Sequence, residues 1–339
     1  MPSAIQSPRT GGTAVMTMRA FAVEHFGDAP GLRDLPIPET ADAYVIRVRY
    51  AGVNPIDYKN LDHLTQTSQF PYVVGFDFAG VVERVPTDER DFAVGDRVCG
   101  LARSHGSYAE YTAVAPRVMI EPLARIAEGV TDEQAAALPM PGTIALGSLE
   151  LLGVTTGQRL VVFGAAGGVG GYAVQIARSR GAHVIAIVRG GEVDEARRLG
   201  AEEIYDSSAV DVINAMHGAH PDGVDAVFDL VNGPDAIHRD AEILKSGGRV
   251  VSTIYAADIE WFAARDIVAH NISSSATTDT ASRSANPSSS PQALSQLLRM
   301  LAEKTITARV GLVAQLEDAG QVLDTLRHGG IHGKAVIRI

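Results

Sequence analysis

A cluster of glycines between an apolar segment and an amphipathic one restricts the fold of this chain more than any other feature. Leu160–Phe163 are all apolar, as in a buried strand, and five of the next eight residues are glycine. Val169–Arg180 then places apolar residues on one helical face, and Val184–Val188 is a second apolar run. This order predicts a strand, a tight turn, a helix and a second, parallel strand.

The glycine turn is typical of a site for the diphosphate of a dinucleotide. Its pattern, A-x-G-x-x-G, lets the backbone approach a phosphate, and the start of the following helix offers free N–H groups. The alternative is a tight strand–helix turn that binds no ligand. The residues expected to bind the cofactor here are Ala165, Gly167, Gly168, Val169 and Gly170.

The residue that follows the second strand indicates which dinucleotide binds. Sites for NAD usually have Asp or Glu at this place, where it binds the 2′-hydroxyl of the ribose. This chain has Arg189, and the first carboxylate after it is Glu192. Since a guanidinium complements a 2′-phosphate, the predicted cofactor is NADPH. The alternative is that Arg189 is a solvated surface residue.

The pattern of the chain changes near residue 138. Before that point, short strand-like runs separated by turns predict a β-rich domain. After it, apolar runs such as Val224–Val231 alternate with helical stretches, which predicts a doubly wound parallel sheet and an α/β fold. The expected division is a disordered extension at 1–17, a β-rich catalytic domain at 18–137 and 292–339, and a dinucleotide-binding domain at 138–291. Late strands at Thr307–Val310 and Lys334–Ile339 are expected to return to the first domain.

Charge and composition argue against several classes of function. The formal net charge is -11, which repels nucleic acid and anionic membrane surfaces. No apolar run approaches the roughly 20 residues of a membrane helix, and residues 1–15 do not resemble a secretory signal. The single cysteine, Cys99, allows no intrachain disulfide. We therefore expect a cytoplasmic protein that acts on a small molecule.

Several motifs occur in order along the chain, in addition to the glycine turn. They are Ala51–Lys59, Val74–Val82, Val94–Gly100, Gly106–Tyr111, Ala135–Leu138 with Pro141–Thr143, and Gly333–Ile337. With these motifs, the chain from about Met18 to Ile339 resembles the medium-chain dehydrogenase/reductase superfamily, in its zinc-independent branch of quinone oxidoreductases and enone reductases. The resemblance implies a GroES-like β-barrel domain, a Rossmann domain and a homodimer.

The chain departs from the zinc alcohol dehydrogenases of that superfamily at the metal site. By resemblance, Asn54 stands where those enzymes have a cysteine ligand, and Gly75–Asp77 stands where they have Gly-His-Glu. The middle residue, Phe76, cannot coordinate a metal, and zinc binds thiolate, imidazole or carboxylate groups. No metal is therefore expected.

Without zinc, the simplest chemistry is hydride addition to an electron-poor carbon of a quinone or an α,β-unsaturated carbonyl. Negative charge then develops on the carbonyl oxygen, and a hydrogen-bond donor must stabilise it. A side chain or water must also supply a proton. The resemblance implies that Asn54–Lys59 borders the nicotinamide, so the candidate catalytic residues are Asn54, Tyr58 and Lys59. Alternatively, Asn54 forms only a turn and Lys59 is a surface charge. We expect Asp57 to anchor the loop through backbone N–H groups.

Further cofactor contacts are expected from the resemblance and at the carboxyl ends of the parallel strands, where ligands bind. Packing at the strand ends is the alternative for each of them. They are Thr143, Tyr205, Val231, Asn232, Ser252, Thr253, Ile254 and Lys334. Trp261 and Phe262 are expected either to line the substrate cleft or to pack in a subunit interface. The candidate interface of the expected homodimer is Asn271–Ala276.

The predicted function is NADPH-dependent, zinc-independent reduction of a quinone or an α,β-unsaturated carbonyl. A narrower version is an enoyl reduction in a biosynthetic pathway. The alternative is a non-catalytic NADPH-binding protein. The presence of Asn54, Lys59 and Thr143 beside an intact glycine turn speaks against that alternative.

Overall fold

The structure is a computed structural model that describes residues 16–115, 121–254, 257–272 and 290–339. Residues 1–15 of the expected extension lie outside the described residues, as do residues 273–276 of the candidate interface. The extension is predicted to end at residue 17, but Thr17 already belongs to the first strand. Among the described residues, no helix has the length and apolar character needed to span a membrane.

The first part of the chain forms two antiparallel sheets. A three-stranded sheet has the order β2-β1-β4, and a larger sheet has β3, β5, β6 and β8 side by side, with β7 also paired to β3. The strands are β1 (Thr17–Val23), β2 (Gly31–Pro36), β3 (Tyr44–Gly52), β4 (Tyr72–Val73), β5 (Asp77–Arg84), β6 (Arg97–Leu101), β7 (Tyr111–Val114) and β8 (Leu123–Arg125). One helix, α1 (Pro55–Asp62), follows β3. These short strands and turns agree with the β-rich pattern of the sequence.

The middle of the chain forms a six-stranded parallel sheet. Its order, β11-β10-β9-β12-β13-β14, is that of a Rossmann fold. The strands are β9 (Arg159–Phe163), β10 (His183–Val188), β11 (Glu203–Asp206), β12 (Val224–Asp229), β13 (Leu244–Ser252) and β14 (Val268–Asn271). The helices from residue 132 onward are α2 (Asp132–Ala136), α3 (Pro139–Leu151), α4 (Gly168–Ser179), α5 (Val193–Leu199), α6 (Val212–Ala219), α7 (Pro234–Asp240), α8 (Ile259–Ala263), α9 (Pro291–Ala302) and α10 (Ala319–Arg327). The sequences of these strands are mostly apolar because helices cover both faces of the sheet.

The end of the chain returns to the larger antiparallel sheet. β15 (Val310–Gln315) pairs in parallel with β16 (Lys334–Arg338), which pairs with β3. The predicted strand at Thr307–Val310 is wrong in position. The true strand starts at Val310, because from there alternate residues are half-buried, as on a strand with one face packed.

The strand predicted at Val224–Val231 is two residues shorter, because its end turns into the site. The carboxylate of Asp229 accepts the backbone N–H groups of Val231 at 3.2 Å and Asn232 at 3.1 Å. This side chain-to-backbone turn ends the strand and leaves Val231 exposed.

The two halves share an apolar core around α3. This helix is buried along nearly its whole length. Leu146 of α3, Leu160 of β9 and Leu297 of α9 belong to one buried cluster. The helix thereby fixes the parallel sheet next to the antiparallel one, and a groove forms between the two.

Candidate active site

The groove runs over the carboxyl edge of the parallel sheet. Two cavities form it. One, of about 830 Å³, is lined by Arg189 and Asn232 among others, and we call it the adenosine-side cavity. The other, of about 300 Å³, is lined by Asn54 and the glycine turn among others, and we call it the nicotinamide-side cavity. Gly164, Glu192 and Val231 line both, so the two cavities are continuous. Their size and position at the ends of parallel strands fit a dinucleotide with a small substrate.

The glycine turn lies where the two cavities meet. Gly164 has a φ of 78°, in the left-handed region that favours glycine. A Cβ on Gly170 would lie 2.2 Å from the carbonyl oxygen of Gly164, so α4 approaches the turn too closely for any side chain there. Gly167 caps α4 without a side-chain hydrogen bond. The first N–H groups of the helix therefore stay available to an anion.

This turn fits the diphosphate of a nicotinamide dinucleotide. Four of the residues predicted for this role line the nicotinamide-side cavity: Gly167, Gly168, Val169 and Gly170. The fifth, Ala165, is fully buried behind the turn. It therefore serves the close packing of strand and helix rather than direct contact.

The adenosine-side cavity contains charges of both signs after β10. Arg189 lines it and is exposed, and in the described part of the chain its guanidinium has no hydrogen-bond or ion-pair partner. Glu192 lines the same cavity and accepts the backbone N–H of Arg189 at 3.4 Å. Asn232 also lines it and donates its amide to Asp240 at 2.7 Å. The unpaired cation suits a 2′-phosphate, whereas the neighbouring carboxylate opposes one.

Asn54 lines the nicotinamide-side cavity, and its amide is held in one orientation. Nζ of Lys334 donates to Oδ1 of Asn54 at 2.6 Å, and Nδ2 of Asn54 donates to Oδ2 of Asp77 at 2.9 Å. Because an ammonium only donates and a carboxylate only accepts, the amide cannot be flipped. The second N–H of Nδ2 has no partner among the residues that the structure describes. Asn54 therefore keeps one free hydrogen-bond donor, and the residue lines the same cavity as the glycine turn.

Two carboxyl groups and one ammonium are buried together around this amide. Burial raises the pKa of Asp77 to about 6, whereas Lys334, Asn54 and the backbone N–H of Met140 lower it. Burial also lowers the pKa of Lys334, and the charges of Asp77 and Asp57 oppose that change. The charges of Lys334 and Asp77 thus compensate each other in part, and Asp77 remains mainly ionised at neutral pH.

Asp57 anchors the start of α1, as the sequence predicts. Its Oδ2 accepts the backbone N–H of Asn54 at 2.7 Å and the hydroxyl of Tyr108 at 2.9 Å. Burial raises its pKa to about 7, against the effect of these two hydrogen bonds. The unfolded chain would lose this proton near pH 4. Between these two pKa values the folded protein therefore holds a proton that the unfolded chain has lost, and stability falls as the pH rises.

Asp57→Asn should remove this pH dependence while keeping an acceptor for Asn54 and Tyr108. The free energy of unfolding of the variant, relative to the wild type, is expected to rise from pH 5 to pH 8. The slope is at most about 1.4 kcal/mol per pH unit below the folded pKa. Urea denaturation at both pH values measures it. Asp62→Asn, in the same helix but half-exposed, should show no such rise. An equal difference at both pH values would contradict the raised pKa.

The residues at the position of a catalytic zinc do not fit a metal ion. Both amide atoms of Asn54 are engaged by Lys334 and Asp77. Phe76 offers no donor atom and packs against Leu101 and Met140. In residues 16–115, 121–254, 257–272 and 290–339, no three His, Cys, Asp or Glu side chains are grouped so as to hold a metal. The donor set of a zinc site is therefore missing at this place.

The structure brings most of the predicted site residues to the groove. Those lining it are Asn54, Lys59, Gly167, Gly168, Val169, Gly170, Arg189, Val231, Asn232, Thr253, Ile254 and Lys334. The other candidates are absent from the described lining of the groove. They are Tyr58, Thr143, Ala165, Tyr205, Ser252, Trp261 and Phe262.

Several of the predicted residues that lie outside the groove make contacts within the protein instead. The ring of Tyr58 packs below Arg327, whose Cζ lies 4.9 Å from the ring centroid. The hydroxyl of Thr143 donates to the carbonyl of Pro139 at 2.6 Å, within its own helix. Trp261 stacks on His238 with ring centroids 4.1 Å apart. These side chains have partners inside the protein, so strand-end and helix-start positions alone do not identify a ligand contact.

Sequence reasoning gave no role to Asp77 and did not single out Tyr108. Asp77 orients Asn54, and Tyr108 donates to Asp57 from a fully buried position. A signal for Asp77 was present, since it is an acidic residue at the start of the otherwise apolar run Asp77–Val82. A buried carboxyl group requires a hydrogen-bonding partner.

The comparisons with known proteins agree with this geometry. The alcohol dehydrogenase GroES-like domain matches residues 40–124, and the zinc-binding dehydrogenase domain matches residues 168–278. The quinone oxidoreductase of Mus musculus is 30% identical over 341 residues, which cover 96% of this chain and 99% of that protein. The trans-enoyl reductase himH of Aspergillus japonicus is 30% identical over 216 residues, or 59% of this chain and 62% of that protein.

A solved structure extends the likeness to the whole fold. The quinone oxidoreductase from Coxiella burnetii matches with a TM-score of 0.80 at 28% identity, covering 95% of this chain and 99% of that one. The predicted fold and family are confirmed. The chain is an oxidoreductase that belongs to the quinone oxidoreductase branch of the medium-chain dehydrogenase/reductase superfamily.

Proposed function

We propose that this protein uses NADPH, without a zinc ion, to reduce a quinone or an α,β-unsaturated carbonyl. The observation that carries the proposal is the fixed amide of Asn54, with a free N–H donor in the same cavity as the glycine turn. NADPH, when bound, supplies a hydride to the electron-poor carbon of the substrate. The names of the relatives, quinone oxidoreductase and trans-enoyl reductase, support this class of acceptor.

The protein's own groups stabilise the charge that this reaction creates. The N–H of Asn54 donates to the carbonyl oxygen as it becomes negative, and Lys334 and Asp77 have oriented that donor in advance. Lys59 is exposed, lines the same cavity and adds a positive charge. The apolar side chains of Ile56, Met140 and Ile144 line the cavity and keep water away from the reacting carbon.

Oxidation of NADPH in the presence of menadione or trans-2-hexenal tests the proposal. We expect turnover with at least one of the two acceptors. The loss of NADPH absorbance measures it, and the amount of reduced product should equal the amount of NADPH consumed. Tight NADPH binding measured by calorimetry, without turnover of either acceptor, would overturn the reductase and favour a protein that only binds NADPH.

Two substitutions in the adenosine-side cavity should move cofactor preference in opposite directions. Arg189→Ala removes a charged partner of the 2′-phosphate, so the ratio of kcat/KM for NADPH over NADH should fall about 10-fold or more. Glu192→Gln removes the opposing carboxylate, so the same ratio should rise. Arg197→Ala is the matched control, because Arg197 is an exposed arginine paired with Asp194 on α5. An unchanged ratio in Arg189→Ala would contradict the assignment of NADPH.

A further inference from the structure

The short segment that leads into β15 packs against the glycine turn. It consists of Thr307, Ala308 and Arg309, and we call it the return segment. A space of about 20 Å³ lies between this segment and the turn, and its wall includes Thr307, Arg309, Gly167 and Gly168. The diphosphate site that we propose at the turn is therefore supported by a part of the chain outside the parallel sheet.

The side chain of Arg309 connects the glycine turn to α5. Its Nη1 donates to the carbonyl oxygen of Ala166, in the turn, at 3.5 Å, and its Nε pairs with Oε1 of Glu195 at 3.0 Å. Glu195 is a buried residue of α5. That helix begins directly after Glu192, which lines both cavities of the groove. Arg309 therefore ties the turn to the helix that borders the groove.

The return segment is itself held in place by α4 and β16. Oε1 of Gln175, on α4, accepts the backbone N–H of Thr307 at 2.8 Å and its hydroxyl at 3.0 Å. The carbonyl oxygen of Arg309 accepts the backbone N–H of Lys334 at 2.7 Å. A Cβ on Gly333 would lie 2.7 Å from that same oxygen, so the approach requires glycine there. These contacts fix the backbone from which the guanidinium of Arg309 extends.

The charge of Arg309 matters for an anionic ligand at the turn. Without it, Glu195 would keep a buried negative charge near the place where we expect the diphosphate, and the two would repel each other. Arg198 pairs with the same carboxylate, but its side chain is 71% exposed, against 32% for Arg309. An exposed ion pair is screened by solvent and contributes little. Arg309 is therefore the more effective counter-charge.

We propose that Arg309 is a positioning residue for the diphosphate of the cofactor. This inference rests on the proposed function, because it concerns how the same NADPH is held. Arg309 bonds to Ala166 and Glu195 at once. In this way it keeps the turn, and the N–H groups at the start of α4, in the arrangement that receives the diphosphate, and it compensates the carboxylate of Glu195. It acts through these two residues and needs no contact with the cofactor.

Two ligands, NADPH and adenosine 2′-monophosphate, test this assignment by calorimetry. The second has the adenosine and the 2′-phosphate but no diphosphate. Arg309→Met and Arg309→Gln should each raise the Kd of NADPH about 10-fold or more, since a charged hydrogen bond is lost. The Kd of adenosine 2′-monophosphate should change about twofold at most. Arg309→Lys keeps the charge and should recover part of the NADPH affinity. In a Glu195→Gln background, Arg309→Met should have a smaller effect, because the two side chains act as a pair.

Arg198→Met is the matched control, because Arg198 pairs with the same carboxylate and, in the described part of the chain, makes no contact with the turn. It should keep the Kd of NADPH within about twofold of the wild type. Thermal unfolding checks that each variant folds. An unchanged Kd in the folded Arg309 variants, or an equal loss for both ligands, would overturn the role of Arg309, while turnover of menadione still reports on the reductase. Absence of NADPH binding by the wild type would overturn the proposed function and this role together.

Discussion

Replacing Asn54 with leucine should lower kcat about 100-fold or more for both quinones and enones. The substitution removes the hydrogen-bond donor that we propose for the developing charge, and loss of one such donor typically costs a factor of 100 to 1,000. It also leaves Lys334 and Asp77 without the amide that each of them contacts. The Kd of NADPH, measured by calorimetry, should change far less than kcat, because the glycine turn is untouched.

Asn60, in the helix that follows Asn54, provides a matched control. Its amide donates to the hydroxyl of Tyr72 at 3.3 Å and lies outside the described lining of the groove. Asn60→Leu should therefore keep kcat within a few-fold of the wild type. Thermal unfolding of both variants separates a loss of catalysis from a loss of folding. A folded Asn54→Leu enzyme with unchanged kcat would show that the oxyanion donor is another group.

Replacing Gly170 with alanine should abolish measurable NADPH binding, and with it all turnover. The added Cβ would lie 2.2 Å from the carbonyl oxygen of Gly164 and 2.8 Å from Cα of Ala165. Since these atoms belong to the backbone, they can yield only if the turn itself opens. The start of α4 would then move away from the position in which we propose that its N–H groups bind the diphosphate. Calorimetry with NADPH measures the loss, and circular dichroism checks the fold.

Gly171 is the adjacent glycine and serves as the control for this experiment. A Cβ there would lie 3.6 Å from Cδ1 of Leu199, an ordinary contact distance. Gly171→Ala should consequently bind NADPH as the wild type does. If Gly170→Ala folds and binds NADPH with an unchanged Kd, the turn does not hold the diphosphate.

Features that depend on neighbouring residues were predictable from the sequence. The parallel sheet follows from apolar runs that alternate with helical stretches, and the helix expected over Val169–Arg180 is present as α4, at Gly168–Ser179. The glycine turn was predictable because its requirement is local, namely backbone without side chains between a strand and a helix. The resemblance supplied Asn54, which no local pattern distinguishes from a residue in a simple turn.

Features that depend on distant contacts were not predictable in this way. The sequence predicts a late strand at Thr307–Val310, but the sheet pairs Val310–Gln315 instead. Thr143 stands at the start of a helix, yet its hydroxyl is used within that helix. The orientation of the Asn54 amide depends on two side chains far away in sequence, and no spacing rule connects them.

The hydrogen bond between Lys334 and Asn54 joins residues 280 positions apart. During synthesis on the ribosome, the segment that carries Asn54 is therefore complete long before its partner lysine exists. Asp57 and Asp77 are buried beside that position, and until β16 is added no ammonium compensates for their charges. The hydrogen-bond network around Asn54 is therefore completed only once β16 has joined the sheet. Until then, the donor that we propose for the reaction lacks the lysine that fixes its orientation.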